Sequence, residues 1–261
     1  MKITYKKRGV FIVSVTQRIS KVKQPRGGYI KPKDFNVIEL NDGIVLYGEE
    51  NIHSTLIGLA VDYLTRFTMG TSLEKAFRIS LIGASRVNES DYAKELLNGI
   101  SGLDDNSIEN ACKLVGFDTA LRAGIASYKP VHTIQPDFST ISNIRNMVER
   151  SRTFNDNYGP IVTDGFTFEG GYTQLISSGD GDFLTETTLW DFKVSKKDPT
   201  NKNSLQLLIY YLMGIHSIHS EFEKIENLGI FNPRLNKVYL LPISTIPNEI
   251  INEVNTTVIG Y

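Results

Sequence analysis

Cysteine is nearly absent from this chain: Cys112 is the only one in 261 residues. One thiol excludes an internal disulfide and any four-cysteine zinc or iron–sulfur centre. Cys112 itself reads as a small core residue. Long apolar runs are also missing. None approaches the roughly 18–20 residues that a membrane-spanning helix needs, so no membrane partner is expected. Acids are absent from residues 1–33, which hold ten Lys or Arg (2, 6, 7, 8, 18, 21, 23, 26, 31 and 33). An arm of that charge density suits contact with phosphates, and equally suits a solvated chain end. Lys6, Lys7 and Arg8 ahead of the apolar stretch Gly9 to Val15 resemble a signal peptide. That stretch is short, however, and Gln17-Arg18 follows it without a small-residue cleavage site. The expectation is a strand in a cytoplasmic protein.

What is present is the composition of an ordinary globular chain, 41% hydrophobic and 22% charged with a net charge of −1. The length suits one domain, or one domain with an insertion. Loose alternation predicts a strand over 10–16, and Gln24 to Pro32 reads as a loop. Residues 36–47 read as a hairpin turning at Asn41-Asp42-Gly43. Ser54 is placed to cap a helix running to about Met69, with Leu56, Leu59, Ala60, Tyr63 and Phe67 at helical spacing. Further helical patterns cover about 72–84, 90–98, 105–115 and 138–153, and no convincing strand interrupts them. Strands are expected within 161–194, an apolar helix over 204–218, strands over 225–231 and 236–242, and a last helix over 246–255. The fold class expected is α/β: a basic N-terminal β segment (1–50), a helical region (51–160) and a β-rich core (161–261) within one compact domain.

The stretch from Gly179 to Lys193 carries the chemistry. A two-residue turn at Glu186-Thr187 makes cross-strand partners sum to 373, pairing Phe183 with Trp190, Leu184 with Leu189 and Asp182 with Asp191. Alternation then puts Phe183, Trp190 and Phe192 on one face. Asp180, Asp182, Asp191 and Lys193 fall on the other, with the leucine pair nearer the turn. Two carboxylates opposed across a hairpin repel each other. A divalent cation between them resolves the conflict, and carboxylate oxygens suit Mg²⁺ or Mn²⁺.

Asp182 followed by Asp191-Phe192-Lys193 resembles the catalytic core of the PD-(D/E)XK nucleases; 191–193 is the only Asp/Glu-x-Lys triplet in the chain. Gly179-x-x-Asp182-x-Leu184 resembles the first strand motif of the RecB and Cas4 branch. Gln206-Leu207-Leu208-Ile209-Tyr210 is similar to its Q-x-x-x-Y motif, in which two residues four apart share a helix face. The likeness is close over roughly 175–215 and extends only in general layout to about 242. It implies a restriction-endonuclease-like mixed sheet flanked by helices, hydrolysing DNA phosphodiesters with Mg²⁺ or Mn²⁺. Asp182 and Asp191 would be metal ligands, Lys193 would assist the nucleophile, and Gln206 and Tyr210 would position substrate. The cysteines of the Cas4 type are missing, so no iron–sulfur cluster is expected.

The branch takes a further ligand from an upstream helix, often His in Gly-x-x-x-His. Here Gly58-Leu59-Ala60-Val61-Asp62 puts Asp62 at that position, with His53 as the competing residue. Lys196, Lys197 and Lys202, together with Arg26, are candidate nucleic-acid contacts, each weighed against a solvated loop. Tyr29 is either a base-stacking group or an edge-covering aromatic. Asp180, Glu186 and Glu169 are further acids of open role, and His216 and His219 read as packing or capping residues. A catalytically inactive nucleic-acid-binding protein with the same fold is the alternative reading. A hydrolase using the two carboxylates as an acid–base pair is a third.

Overall fold

The computed structural model describes residues 13–261. It is an α/β fold with one six-stranded mixed sheet among the described residues, and no described helix is long and apolar enough to cross a membrane. The strands are β1 (Asn36–Glu39), β2 (Thr163–Phe166), β3 (Gly181–Leu184), β4 (Thr188–Phe192), β5 (Asn227–Asn232) and β6 (Lys237–Pro242). They lie in the order β1-β6-β5-β4-β3-β2, antiparallel throughout except that β5 runs parallel to β4. A parallel pair needs a crossover. It is supplied by a helix over Asn201–Ile215, flanked by polar loops.

The helices are α1 (Val15–Lys21), α2 (Ser54–Thr68), α3 (Leu73–Ala76), α4 (Arg78–Arg86), α5 (Ser90–Asn98), α6 (Asp105–Val115), α7 (Asp118–Arg122), α8 (Phe138–Tyr158), the crossover helix α9 (Asn201–Ile215) and α10 (Asn248–Glu253). The helical region expected between 51 and 160 is therefore present. It has its own core, in which Ile57, Leu64, Phe77, Ile108, Leu114 and Met147 are fully buried. Helix α9 is apolar on nearly every side because it is buried on nearly every side. Its Leu205, Leu208, Ile209 and Leu212 share a core with Leu184, Leu189, Leu228 and Ile230 of the sheet. The opposite sheet face is aromatic. Phe154 of α8 stacks on Phe231 at 4.1 Å between ring centres and meets Trp190 edge-on at 4.8 Å. The Trp190 indole N–H donates to the Thr185 hydroxyl at 2.9 Å, so the largest side chain of the core buries no unmet donor. Gly229 of β5 gives that indole its place: a Cβ there would meet the ring at 2.4 Å.

Two expected elements differ. Residues 36–47 are not a hairpin. Asn41 and Asp42 do turn the chain, accepting from the Gly43 and Ile44 N–H groups, and Gly43 takes φ +71°. Residues 44–46 nevertheless leave the sheet, and Val45 stands 91% exposed. β1 pairs instead with β6, two hundred residues away, with Val37 opposite Tyr239 and Ile38 opposite Val238. The strand expected over 10–16 lies outside the described residues up to 12. From Ser14 on it is a capped helix, in which Ser14 and Gln17 form a capping box ahead of Val15. On α2 the cap is His53 rather than Ser54, its Nδ1 accepting from the Thr55 N–H at 3.2 Å.

Candidate active site

The hairpin β3–β4 has the register its alternation predicts, Phe183 opposite Trp190 and Leu184 opposite Leu189, closed by a Thr185 N–H to Thr188 C=O bond of 3.0 Å. Its aromatic residues face α8 and its leucines face α9. Asp182 sits on β3 and Asp191 on β4. Lys193 follows β4 and continues its pairing by donating its N–H to the Phe231 carbonyl at 3.0 Å. The Phe192 N–H donates to Asp182 Oδ2 at 2.6 Å. Lys193 Nζ lies 3.0 Å from Asp191 Oδ1. The second oxygen, Asp191 Oδ2, is buried and has no hydrogen-bond partner among the described residues. The three groups are graded in access: Asp182 is exposed, Lys193 a third exposed and Asp191 2% exposed.

Charge is concentrated here at a cost. Asp182 lines a cleft, so it keeps accessible surface, but protein crowds its other sides. That burial is the largest cause lifting its pKa, to about 8, and repulsion from Asp191 is the next. Lys193 and the Phe192 N–H oppose the rise, and Asp62 adds to it. Burial works against the Lys193 ammonium, yet Asp191 and Asp182 together hold its pKa above the ordinary lysine value. From α9, Gln206 Nε2 donates to the Tyr210 hydroxyl at 2.7 Å, both side chains being buried. Burial pushes the Tyr210 phenol upward, and Asp191 pushes it further. Gln206 and Tyr210 thus form one bonded unit beside the acids.

Asp182 opens onto a cavity of about 820 Å³ between the helical region and the β2–β3 edge of the sheet. Gly181 allows that edge to form, because a Cβ there would strike the Phe166 ring at 2.1 Å. Asp62 of α2 lines the same cavity, and burial lifts its pKa to about 6. Among the described residues, no three His, Cys, Asp or Glu side chains close into a group able to hold an ion, so Asp62 shares the cavity with Asp182 without completing a three-ligand cage.

Sequence reasoning missed other residues of this cavity. Arg66, four residues after Asp62 and on the same face of α2, reaches Asp164 of β2 at 3.0 Å. Arg122 is held by Asp118 at 3.3 Å, and Asp118 also accepts from Tyr63 at 2.7 Å and Ser80 at 2.6 Å. Lys75 and Arg78 line the helical wall. The spacing of Asp62 and Arg66 was a usable signal. Nothing local marked the others, which the helical packing brings to one place.

The remaining candidates scatter. Lys196 donates to the Gly48 carbonyl at 2.9 Å, while Lys197, Lys202 and Arg26 are exposed; none of the four lines the cavity. Of the basic arm, residues 2, 6, 7 and 8 lie outside the described residues. Arg18 is committed to the Val258 and Thr257 carbonyls. Tyr29 is buried and donates to Glu253 at 3.2 Å, so it cannot stack on a base. Asp180 lines the cavity, and Glu186 is exposed at the turn. Glu169 pairs with His219 at 2.9 Å, while His216 stacks on Tyr261. Cys112 is fully buried in the helical core, which pushes its thiol up to about 12.

The donor set fits a hard divalent cation. It offers carboxylate oxygens only, one of them buried and unpartnered, and such ions take one or two carboxylates with waters and substrate oxygens completing the shell. Comparison with protein-family models, with curated proteins and with solved structures gave no significant match.

Proposed function

We propose that this chain is a metal-dependent nuclease that hydrolyses DNA phosphodiesters with the PD-(D/E)XK arrangement of Asp182, Asp191 and Lys193, on a restriction-endonuclease-like core. One observation carries the reading. Two carboxylates from adjacent strands crowd each other, one keeps a buried oxygen without a partner, and a single ammonium stands beside them. A fold gains no stability from such a group, whereas metal-assisted phosphodiester hydrolysis makes use of one. Further support comes from the mixed sheet between α8 and α9, and from the Gln206–Tyr210 unit near the acids.

In this reading Asp182 and Asp191 would hold Mg²⁺ or Mn²⁺, which would supply positive charge to offset that of the phosphate oxygens. Lys193 adds a positive charge fixed in place by Asp191, and the bonded Gln206–Tyr210 pair on α9 would help to position the substrate. The test is hydrolysis of single- and double-stranded DNA by the purified chain with Mg²⁺ or Mn²⁺. Turnover should stop in EDTA and fall about 10²–10³-fold in Lys193→Ala, the loss typical of removing one preorganised charge-stabilising group. Cleavage that persists in excess chelator refutes the metal role. Binding without any cleavage returns the alternative, a nucleic-acid-binding protein with this fold.

A further inference from the structure

We propose that Lys75 and Arg78 form the docking wall for a single nucleic-acid strand, which enters the Asp182 cavity without its complement. The proposal rests on the nuclease reading for its chemistry, but not for its geometry. The two walls of the cavity differ in sign. Asp180 and Asp182 lie on the sheet side, while Lys75 and Arg78 stand on the helical side. Against one acid, Asp62, the helical wall sets four cations in two states. Arg66 and Arg122 are each paired with a carboxylate, Asp164 and Asp118. Lys75 and Arg78 are exposed, and neither side chain has an ion pair or hydrogen bond among the described residues. A carboxylate partner offsets the charge of each of those two, so the unpaired Lys75 and Arg78 carry the excess positive charge of this wall.

The lining between them is apolar, with Met69, Ile79 and Ile82 beside Lys75 and Arg78. Charged rims that track the backbone, joined to apolar surface for the bases, suit single strands. Size favours one strand. The cavity of about 820 Å³ is narrow beside a duplex and lies between the helical wall and the sheet edge. A strand lying along the helical wall brings its phosphates across the cavity from Asp182.

The test uses the full-length protein in EDTA, so that binding is read without turnover. A fluorescent deoxythymidine homopolymer is titrated at several salt concentrations against wild type, Lys75→Ala/Arg78→Ala and the charge-keeping Lys75→Arg/Arg78→Lys. A blunt duplex and a uridine homopolymer serve as competitors. The alanine pair should bind about tenfold more weakly, with a salt slope flatter by about 1.4, twice the roughly 0.7 per phosphate of single strands. The charge-keeping pair should keep the wild-type slope, and the duplex should compete poorly. Equal competition by the uridine homopolymer would extend the class to RNA, and failure would confine it to DNA. An unchanged slope in a folded alanine pair, or a duplex that competes as well as the single strand, overturns the proposal. Strand binding that depends on these two residues in a chain that never cleaves leaves the docking wall standing and removes the nuclease reading. Metal-dependent cleavage with unchanged strand binding does the reverse.

Discussion

Two of the places where this fold crowds charge, around Arg150 and around Asp191, are resolved in opposite ways. At Arg150 of α8, 7% exposed, every nitrogen of the guanidinium is used. It bonds Asp42 through Nε at 2.6 Å and Nη2 at 3.1 Å, and it donates to the carbonyls of Ile44, Pro233 and Arg234. Beside it Glu50, 4% exposed, takes Arg234 at 2.7 Å and Asn143 at 3.0 Å. That network ties the 42–50 loop to the β5–β6 turn. At Asp182 and Asp191 two like charges face each other and an oxygen is left without a partner. A buried charge with all its bonds met holds structure together. One left in excess marks where something else is meant to bind.

Substitutions can break this contrast, and the largest effect belongs to Asp191. Asp191→Ala should lose about 10⁴-fold or more in cleavage rate, as when one member of a cooperating catalytic unit is removed, while circular dichroism shows a folded chain. Retained activity would strip the site of its meaning. Arg150→Ala should do the opposite. Its loss leaves Asp42 and three carbonyls unpaired, costing about 3–5 kcal/mol in urea unfolding, and a cost under 1 kcal/mol would show the network to be ornamental.

The third effect is a dependence on pH. Because burial and Asp191 hold the Asp182 pKa near 8 in the folded chain, against 3.8 normally, the folded state keeps a proton that the unfolded state has released across that window. Protons bound in excess by the folded state make stability fall as pH rises. The melting temperature of the metal-free protein should therefore decline between about pH 4 and pH 8, Asp182→Asn should flatten the decline above about pH 6 and leave below it the part that Asp62 contributes, and Mg²⁺ should offset it at the upper end. A wild-type slope no steeper than that of Asp182→Asn would remove the crowding argument. The smallest effect belongs to Lys196→Ala. Its side chain is 58% exposed and 4.0 Å from Glu50, so stability should move by less than about 1 kcal/mol. A larger loss would enlist it in the Arg234–Glu50 network.

Legibility followed the range of the interactions involved. The hairpin register was readable because period-two alternation sorts residues 182–193 into faces with no outside help. Helices such as Ser90–Asn98 and Asp105–Val115 were readable for the same reason at period 3.6. The 36–47 hairpin misled because its turn chemistry is real while its second strand is not. Asn41 and Asp42 bend the chain, but β1 finds more on β6, a partner no local pattern can name. The Ser14–Gln17 capping box was in plain sight and was outweighed by the apolar residues around it. The lysines after β4 were singled out for their nearness in sequence to Lys193, and α9 and its loop carry them away from the cavity that Asp182 lines.

What the amino-acid order settled alone is the local chemistry: two acids and an ammonium placed by alternation on one side of a hairpin, and Gln206 and Tyr210 placed by helical pitch on one stripe of α9. Such placements depend only on backbone periods, which every residue obeys. The tertiary structure decided which cations of the cavity pair with a carboxylate, which acid is sealed and which open, and that a helical wall faces the sheet across a cavity. Those facts join residues 62, 75, 78, 122, 164 and 182, and only the packing of the helical region against the sheet brings such distant positions together.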